Sequence, residues 1–199
     1  IWFSQEPQAS DLIAARQQMR ESAINISISY WPQQATANSA FEELGFEQKS
    51  TQIGMSLQLE KPDTAPQRLT FLRVEQADDA ERWARVYPLC FGYSIPAEIL
   101  VKTKLTIDYY LVSYQGQDIG TAIAYYSGDC LGIHGLGVIP SMRKQGFAEE
   151  IMAHLLHSAY HAGKKIATLQ ASAMGKGIYR KMGFSEDFVL TNFGLAKNS

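Results

Sequence analysis

The sequence of 199 residues predicts an α/β protein, and two patterns and one break carry that expectation. Stretches with apolar residues at three- and four-residue spacing take turns along the chain with short apolar or alternating runs, the periods of a one-sided helix and of a strand. A polar joint, Gln115-Gly-Gln-Asp118, parts two strand-like runs as a hairpin turn would. At Val138-Ile-Pro-Ser-Met-Arg-Lys-Gln-Gly-Phe-Ala148 a strand stops and a helix begins.

The first elements are a helix over 10–21, a strand over 24–30, a helix over 37–44 and a strand over 51–59. Lys61-Pro-Asp-Thr-Ala-Pro-Gln67, with two prolines among polar residues, reads as a linker. It divides the chain at about residue 65 into segments 1–65 and 66–199. Beyond it come a strand (69–74), a helix (78–89), a shorter helix (96–102) and the two hairpin strands (107–114 and 119–126). The apolar, glycine-containing run from Cys130 is expected to stop at about Ile139, because Pro140 has no amide to continue a ladder. The long helix follows from Ala148, Ile151, Met152, Leu155, Leu156 and Ala159, one buried face, and Gly163-Lys164-Lys165 reads as its stop. It is expected to start among residues 143–146, with no acidic residue in that first turn. A strand over 166–171, a short helix carrying Tyr179 and a strand pair over 186–195 complete the chain.

Composition removes several function classes. At 46% hydrophobic the chain can bury one or two modest cores. Eighteen Lys and Arg against 20 Asp and Glu leave no basic footprint for nucleic acid and no polybasic membrane patch. No apolar run approaches about 18 residues and no charged stretch precedes an apolar one at the start, so neither a membrane span nor a signal peptide is expected. The first residue is Ile1 rather than Met, which leaves room for residues ahead of it. Cys90 and Cys130 stand far apart among apolar neighbours and read as structural thiols of a reducing, cytoplasmic compartment.

The 138–148 break carries the chemistry. A helix N-terminus offers unpaired N–H groups and a partial positive charge, and Gly146 lets a ligand approach the backbone. Arg143 and Lys144 add whole charges, so the ligand expected is a phosphate or pyrophosphate; a solvated basic turn is the plainer reading. Arg143-x-x-Gly146-x-Ala148 after Val138-x-Pro140 resembles the coenzyme A signature of the GCN5-related N-acetyltransferase (GNAT) superfamily. A second landmark of that family is similar to Leu169-Gln-Ala-Ser-Ala-Met-Gly-Lys-Gly-Ile-Tyr-Arg-Lys-Met-Gly-Phe184. The likeness runs from about Leu69 to Leu195.

That resemblance implies the acyl-CoA N-acyltransferase fold, a mixed, largely antiparallel twisted sheet flanked by helices. It implies acetyl-CoA as cosubstrate and a primary amine of a small molecule or peptide as acceptor, with a homodimer left open. Coenzyme contacts would come from Arg143, Lys144, Gln145, Gly146, Phe147, Ala148, Ser172, Gly175 and Tyr179, and from backbone at Leu136, Gly137 and Val138 along the pantetheine arm. Tyr179 matches the family's general acid; a phenol of pKa near 10 holds its proton at pH 7. Without the motif it would read as a packing aromatic. His134 stands where many relatives carry an acidic residue and could take the amine proton, directly or through water, or be a hydrogen-bonded strand residue.

Two positions depart from the family pattern. Ser172 replaces a frequent asparagine and reaches less far, and Phe147 either packs on the coenzyme or joins the core. Phe91-Gly-Tyr-Ser94, Tyr109, Tyr110, Tyr125 and Tyr126 would border the acceptor site by the same resemblance, or simply pack. Before the linker, Phe41-Glu-Glu-Leu-Gly-Phe46 parallels Tyr179-Arg-Lys-Met-Gly-Phe184. This makes 1–65 a partial GNAT-like subdomain beside a complete domain at 66–199, the alternative being a common glycine C-cap. His154, His157 and His161 fall on a helix face expected to be solvated. His154 to His161 spans about 10 Å, too far for three ligands to one ion, and no metal is expected. The competing function is a non-catalytic acyl-CoA-binding or sensing module.

Overall fold

The computed structural model describes residues 1–3, 5–31, 38–61 and 68–196, with the side chains of residues 38 and 39 set aside. Residues 62–67 of the expected linker lie outside that set. In chain order the elements are α1 (Ala9–Glu21), β1 (Ile28–Tyr30), α2 (Asn38–Glu43), β2 (Phe46–Gln58), β3 (Thr70–Arg73), α3 (Ala77–Phe91), α4 (Ala97–Thr103), β4 (Ile107–Tyr114), β5 (Gln117–Ser127), β6 (Cys130–Val138), α5 (Phe147–His161), β7 (Ile166–Ala171), α6 (Lys176–Lys181) and β8 (Ser185–Leu195). A single 3-10 turn, Pro140–Met142, lies between β6 and α5. This is the mixed α/β, mostly antiparallel architecture the motifs implied.

The chain forms two compact units. One comprises Ile1–Met55, Ala171–Arg180 and Glu186–Ser199; the other comprises Ser56–Gln170 and Lys181–Ser185. In the first, Leu12, Ala15 and Met19 line one side of α1 and bury against Ile28, Tyr30, Phe41, Phe46 and Phe193. The rings of Phe41 and Phe193 stack 4.2 Å apart at its centre. β1 pairs antiparallel with β8, Ile28 opposite Phe193. The expected strand over 24–30 is only three residues long. The Ser22 hydroxyl explains this: it accepts the Ile24 N–H and donates to the Ile24 carbonyl, closing a local turn that keeps those groups off a ladder. β2 starts five residues earlier than expected, because Gly45 at φ +80° swings the chain straight from α2 into Phe46. The expected strand pair over 186–195 is one continuous strand, β8. Its polar Asn192, a turn-like residue in sequence, instead accepts the Ser29 hydroxyl (2.7 Å) beside the ladder. Gly183, at φ +91°, ends the Tyr179 helix as Gly45 ends α2, and Phe46 and Phe184 are both buried.

In the second unit the strand order is β7-β6-β5-β4-β3. β6 and β7 run parallel and the other pairs antiparallel. Gln115 and Gly116 both have positive φ, the two-residue turn that matches strand twist, and β5 starts at Gln117. Tyr109 meets Trp83 of α3 edge-on, whereas the ring of its neighbour Tyr110 meets His154 of α5. Adjacent strand residues face opposite ways, so α3 and α5 cover opposite faces of this sheet. The tyrosines that the resemblance sets beside an acceptor site therefore divide between the two faces: Tyr109 is buried under α3 and Tyr110 lies on the α5 face, where Lys164 also sits over Tyr126.

Ile151, Met152, Leu155 and Ala159 of α5 are fully buried. Each of the larger three is worth on the order of 1.5–3 kcal/mol, more than propensity supplies over so few residues. His154 does not share the solvated face expected for it: its ring stacks on Phe71 of β3 at 3.7 Å, because that side of α5 is covered by β3. His157 and His161 remain exposed, rings 4.3 Å apart. Among the described residues no three His, Cys, Asp or Glu converge on one point.

Candidate functional site

The site is built where β6 gives way to α5. The Ile139 N–H donates to the Ile119 carbonyl (2.8 Å), a last ladder bond before Pro140. Arg143 then turns back on the protein: its Nε donates to the Val138 carbonyl (3.0 Å) and its Nη2 to the Cys90 carbonyl (3.3 Å) near the end of α3. A guanidinium there complements the negative end of that helix and ties it to the end of β6. Lys144 at φ +62° and Gly146 at φ +79° curl the chain, and α5 starts at Phe147. The Glu150 N–H is the first to find a helical acceptor, the Gly146 carbonyl (3.1 Å). The amides of Phe147, Ala148 and Glu149 precede it and have no carbonyl one turn back.

A methyl group added to Gly146 would meet a single neighbour within 4 Å, Arg68 Nη2 at 3.5 Å. The loop is therefore an open cradle of backbone amides beside the exposed Lys144, Gln145 and Gly146, and it fits a phosphate group. Two expectations change. The helix begins later than residues 143–146, at Phe147, because Gly146 is left-handed; its first turn is consequently acidic, with Glu149 and Glu150. Glu150 is only 4% exposed and fully engaged, accepting from Arg68 N (2.7 Å), Arg68 Nε (2.8 Å) and Leu69 N (2.9 Å). Phe147 is 2% exposed, its ring against Tyr114 at 4.8 Å, so its side chain belongs to the core and only its N–H faces the cradle.

Upstream, β6 carries a bulge. Thr121 pairs with Gly137 and Ile123 with His134, so Gly135 and Leu136 together oppose Ala122. Gly135 adopts φ +52°, and the buried Thr121 hydroxyl donates to its carbonyl (3.1 Å), holding the irregularity in place. Pairing with β7 ends at Ile133–Leu169, so the strand from His134 to Val138 runs beyond its parallel neighbour. Leu136 and Gly137 are half-buried and Val138 is buried. Gly137 is required by contact: a Cβ there would lie 2.7 Å from the Phe91 ring. Tyr93 of the Phe91-Gly-Tyr-Ser94 segment shares a hydroxyl–hydroxyl bond of 2.6 Å with Tyr87 of α3. His134 keeps an exposed edge, and its Nε2 would lie 3.1 Å from a Cβ at Gly132, so the glycine makes room for the ring. The protein packed around it lowers its pKa below the usual 6.5 by desolvation.

The second motif is built differently. The Ser172 carbonyl accepts the Gly175 and Lys176 amides, and its hydroxyl accepts the Gly175 N–H at 3.2 Å. Ser172 thus closes the turn that leads into α6. Tyr179 lies with its ring edge 3.2 Å from where a Gly175 Cβ would be, and burial raises its pKa above 10. Glu186 of β8 holds Lys176 (2.8 Å) and Arg180 (3.4 Å) on either side of it in sequence.

Arg68 is the contributor that the sequence reading missed. It follows directly on the proline-containing linker, and its partner Glu150 is 82 residues away. The available signal was Glu150 itself, one residue before Ile151 and three after Phe147 on the apolar side of α5: a carboxylate there needs a partner.

Strand, bulge, open loop and helix together define an acyltransferase-type α/β domain, and comparison with known proteins places it. Residues 106–186 match the family model described as an acetyltransferase (GNAT) domain. A GCN5-related N-acetyltransferase from Kribbella flavida superposes with a TM-score of 0.71 at 17% identity, over 98% of this chain and 77% of its own. One from Sphaerobacter thermophilus gives 0.68 at 16% identity, over 90% of this chain and 62% of its own. A conserved Staphylococcus epidermidis protein of unknown function gives 0.70 at 16% identity, over 96% and 82%. At such identities these likenesses speak for the fold. No curated protein matches the sequence. The chain thus has the fold of the GNAT structures, and residues 106–186 of it match the GNAT domain.

Proposed function

We propose that this protein transfers an acetyl group from acetyl-CoA to a primary amine of a small molecule or peptide, by direct transfer with Tyr179 as general acid. The observation that carries the reading is the cradle at 143–148: two left-handed residues, an uncapped 15-residue helix and open space above Gly146, within the GNAT-matched segment. Its amides, with Lys144, would hold the pyrophosphate, and backbone at Leu136, Gly137 and Val138 would align the pantetheine arm along the part of β6 that runs beyond its pairing with β7. Bound acetyl-CoA would supply the activated thioester. The phenol of Tyr179, its pKa raised by burial, keeps its proton at neutral pH and gives it to the sulfur. His134, its pKa depressed, is neutral at pH 7 and takes the proton of the attacking amine, directly or through water.

Calorimetry with acetyl-CoA, followed by release of free thiol across a panel of amines, tests this. Binding with turnover on at least one amine supports it. Binding without turnover on any amine makes the protein an acyl-CoA-binding module, and no binding removes the reading altogether.

A further inference from the structure

Beside the phosphate loop stands a charge that belongs to no part of its motif. Arg68 lies just ahead of β3, yet its guanidinium reaches the loop from outside it. The buried Glu150 carboxylate takes Arg68 Nε at 2.8 Å and the Arg68 and Leu69 amides, which fixes both backbone and side chain. Nη1 and Nη2 are turned toward the loop, each 3.3 Å from the Gln145 carbonyl. The guanidinium carbon lies over the Phe147 ring, 4.8 Å from its centre, a cation–π contact. Five N–H bonds minus these three leave two on the terminal nitrogens, and the side chain is 45% exposed. Nη2 is also the single atom within 4 Å of the space above Gly146.

We propose that Arg68 is a coenzyme-binding residue, one that presents its terminal N–H groups to the pyrophosphate held at Gly146. The inference rests on the cradle reading above and adds to it a ligand contact from outside the motif. An arginine serving Glu150 alone would lay its terminal nitrogens along the carboxylate as a two-bond fork. Here Oε1 takes the two backbone amides and Oε2 takes Nε alone, which leaves both terminal nitrogens turned away from the carboxylate. The result is a fixed, half-exposed cation at the mouth of an anion cradle, where bidentate contact with phosphate oxygens is the chemistry guanidinium does best. It also balances Glu149 and Glu150, whose charges in the first turn of α5 would otherwise oppose an anion.

The test is calorimetry with coenzyme A and with dephospho-coenzyme A, which lacks the 3′-phosphate but keeps the pyrophosphate. Arg68→Gln leaves Glu150 without its cation, so the Arg68→Gln/Glu150→Gln double variant is measured beside it, with melting temperatures for all. The expected result is a loss of tenfold or more in affinity, equal for the two ligands, with a shallower dependence of affinity on salt than in the wild type. The double variant should show the same loss while melting within about 3 °C of wild type. A loss confined to coenzyme A would overturn the pyrophosphate assignment in favour of the 3′-phosphate. Full affinity in the double variant, or an unchanged salt dependence, would reduce Arg68 to a brace and overturn the proposal. If the wild type itself binds neither ligand, the cradle reading falls and takes this inference with it; if the wild type binds and the variants match it, only this inference falls.

Discussion

The segments 138–148 and 171–181 are both strand, turn and helix, both punctuated by glycine and both inside the GNAT-matched region, yet they solve the same physical problem in opposite ways. Every helix start exposes amides that need acceptors. In the second segment the chain supplies most of them: the Ser172 carbonyl accepts the Gly175 and Lys176 amides, its hydroxyl accepts the Gly175 amide as well, the Gly175 carbonyl accepts the Ile178 amide, and α6 runs only six residues. In the first segment α5 opens without a side-chain cap, on a left-handed glycine, and runs for fifteen residues. An uncapped end on so long a helix keeps its donors and its dipole available to something outside the chain. Under the proposed function, the contrast gives binding to one segment and the placing of a proton-bearing phenol to the other.

The strongest way to break that contrast is to put an anion into the first segment. Gly146→Glu is expected to abolish acetyl-CoA binding, a loss beyond a thousandfold by calorimetry. It sets a carboxylate in the open space above the loop and forces a side chain onto φ +79°. Gly146→Ala carries the backbone strain alone, about 1–2 kcal/mol, and should lose roughly tenfold. Equal effects of the two substitutions would mean that the loop depends on its shape and meets no anion.

The second segment should respond in rate rather than affinity. Tyr179→Phe removes the proton and keeps the ring, so turnover should fall by roughly 10²–10⁴-fold, the usual worth of a positioned acid. Coenzyme affinity should stay within about threefold. Steady-state rates alongside calorimetry separate these; a matched fall in both would make Tyr179 a binding residue and merge the two segments' roles.

How far the sequence could be read follows the range of the interactions. The strands over 107–114 and 166–171 are legible to the residue, because alternation and flanking turn residues are local signals. The bend into α5 is legible too, since Pro140 and Gly146 impose it within a few residues. What escaped depends on partners distant in sequence. Phe147 looks available to a ligand until Tyr114 covers it, and His154 looks solvated until Phe71 does. The first turn of α5 reads as free of acid until the left-handed Gly146 moves its start to Phe147, and the Glu150 this brings in is taken up by Arg68, 82 residues earlier.

Acidification gives a smaller effect that probes the first segment's neighbour. His134 and His154 both have pKa values pushed down by desolvation, so the folded protein binds fewer protons than the unfolded chain near pH 6. Stability from this source is complete above about pH 6.5 and declines as the pH falls below that unfolded value. His134→Gln should flatten part of that decline in melting temperature. It should also remove the acid limb of the turnover profile, with a fall of about tenfold at neutral pH. An acid limb that persists unchanged in His134→Gln would leave the amine proton to water.

The mildest change tests the comparison at its most delicate point, the Ser172 hydroxyl. By family resemblance that position faces the coenzyme; in this chain its oxygen accepts the Gly175 N–H at 3.2 Å. Ser172→Ala removes one acceptor while the Ser172 carbonyl continues to hold the same amide and that of Lys176. The cost should therefore sit at the low end of a lost cap, about 0.5–1 kcal/mol. It should appear as faster amide exchange at Gly175 and Lys176. Because Tyr179 rests against Gly175, a looser turn should lower turnover about two- to threefold while leaving affinity for acetyl-CoA within threefold. An affinity loss above tenfold with unchanged exchange would show that the hydroxyl serves the ligand rather than the turn. The second segment would then share in coenzyme binding despite its capped start, and a self-satisfied helix end would no longer mark the segment that does not bind.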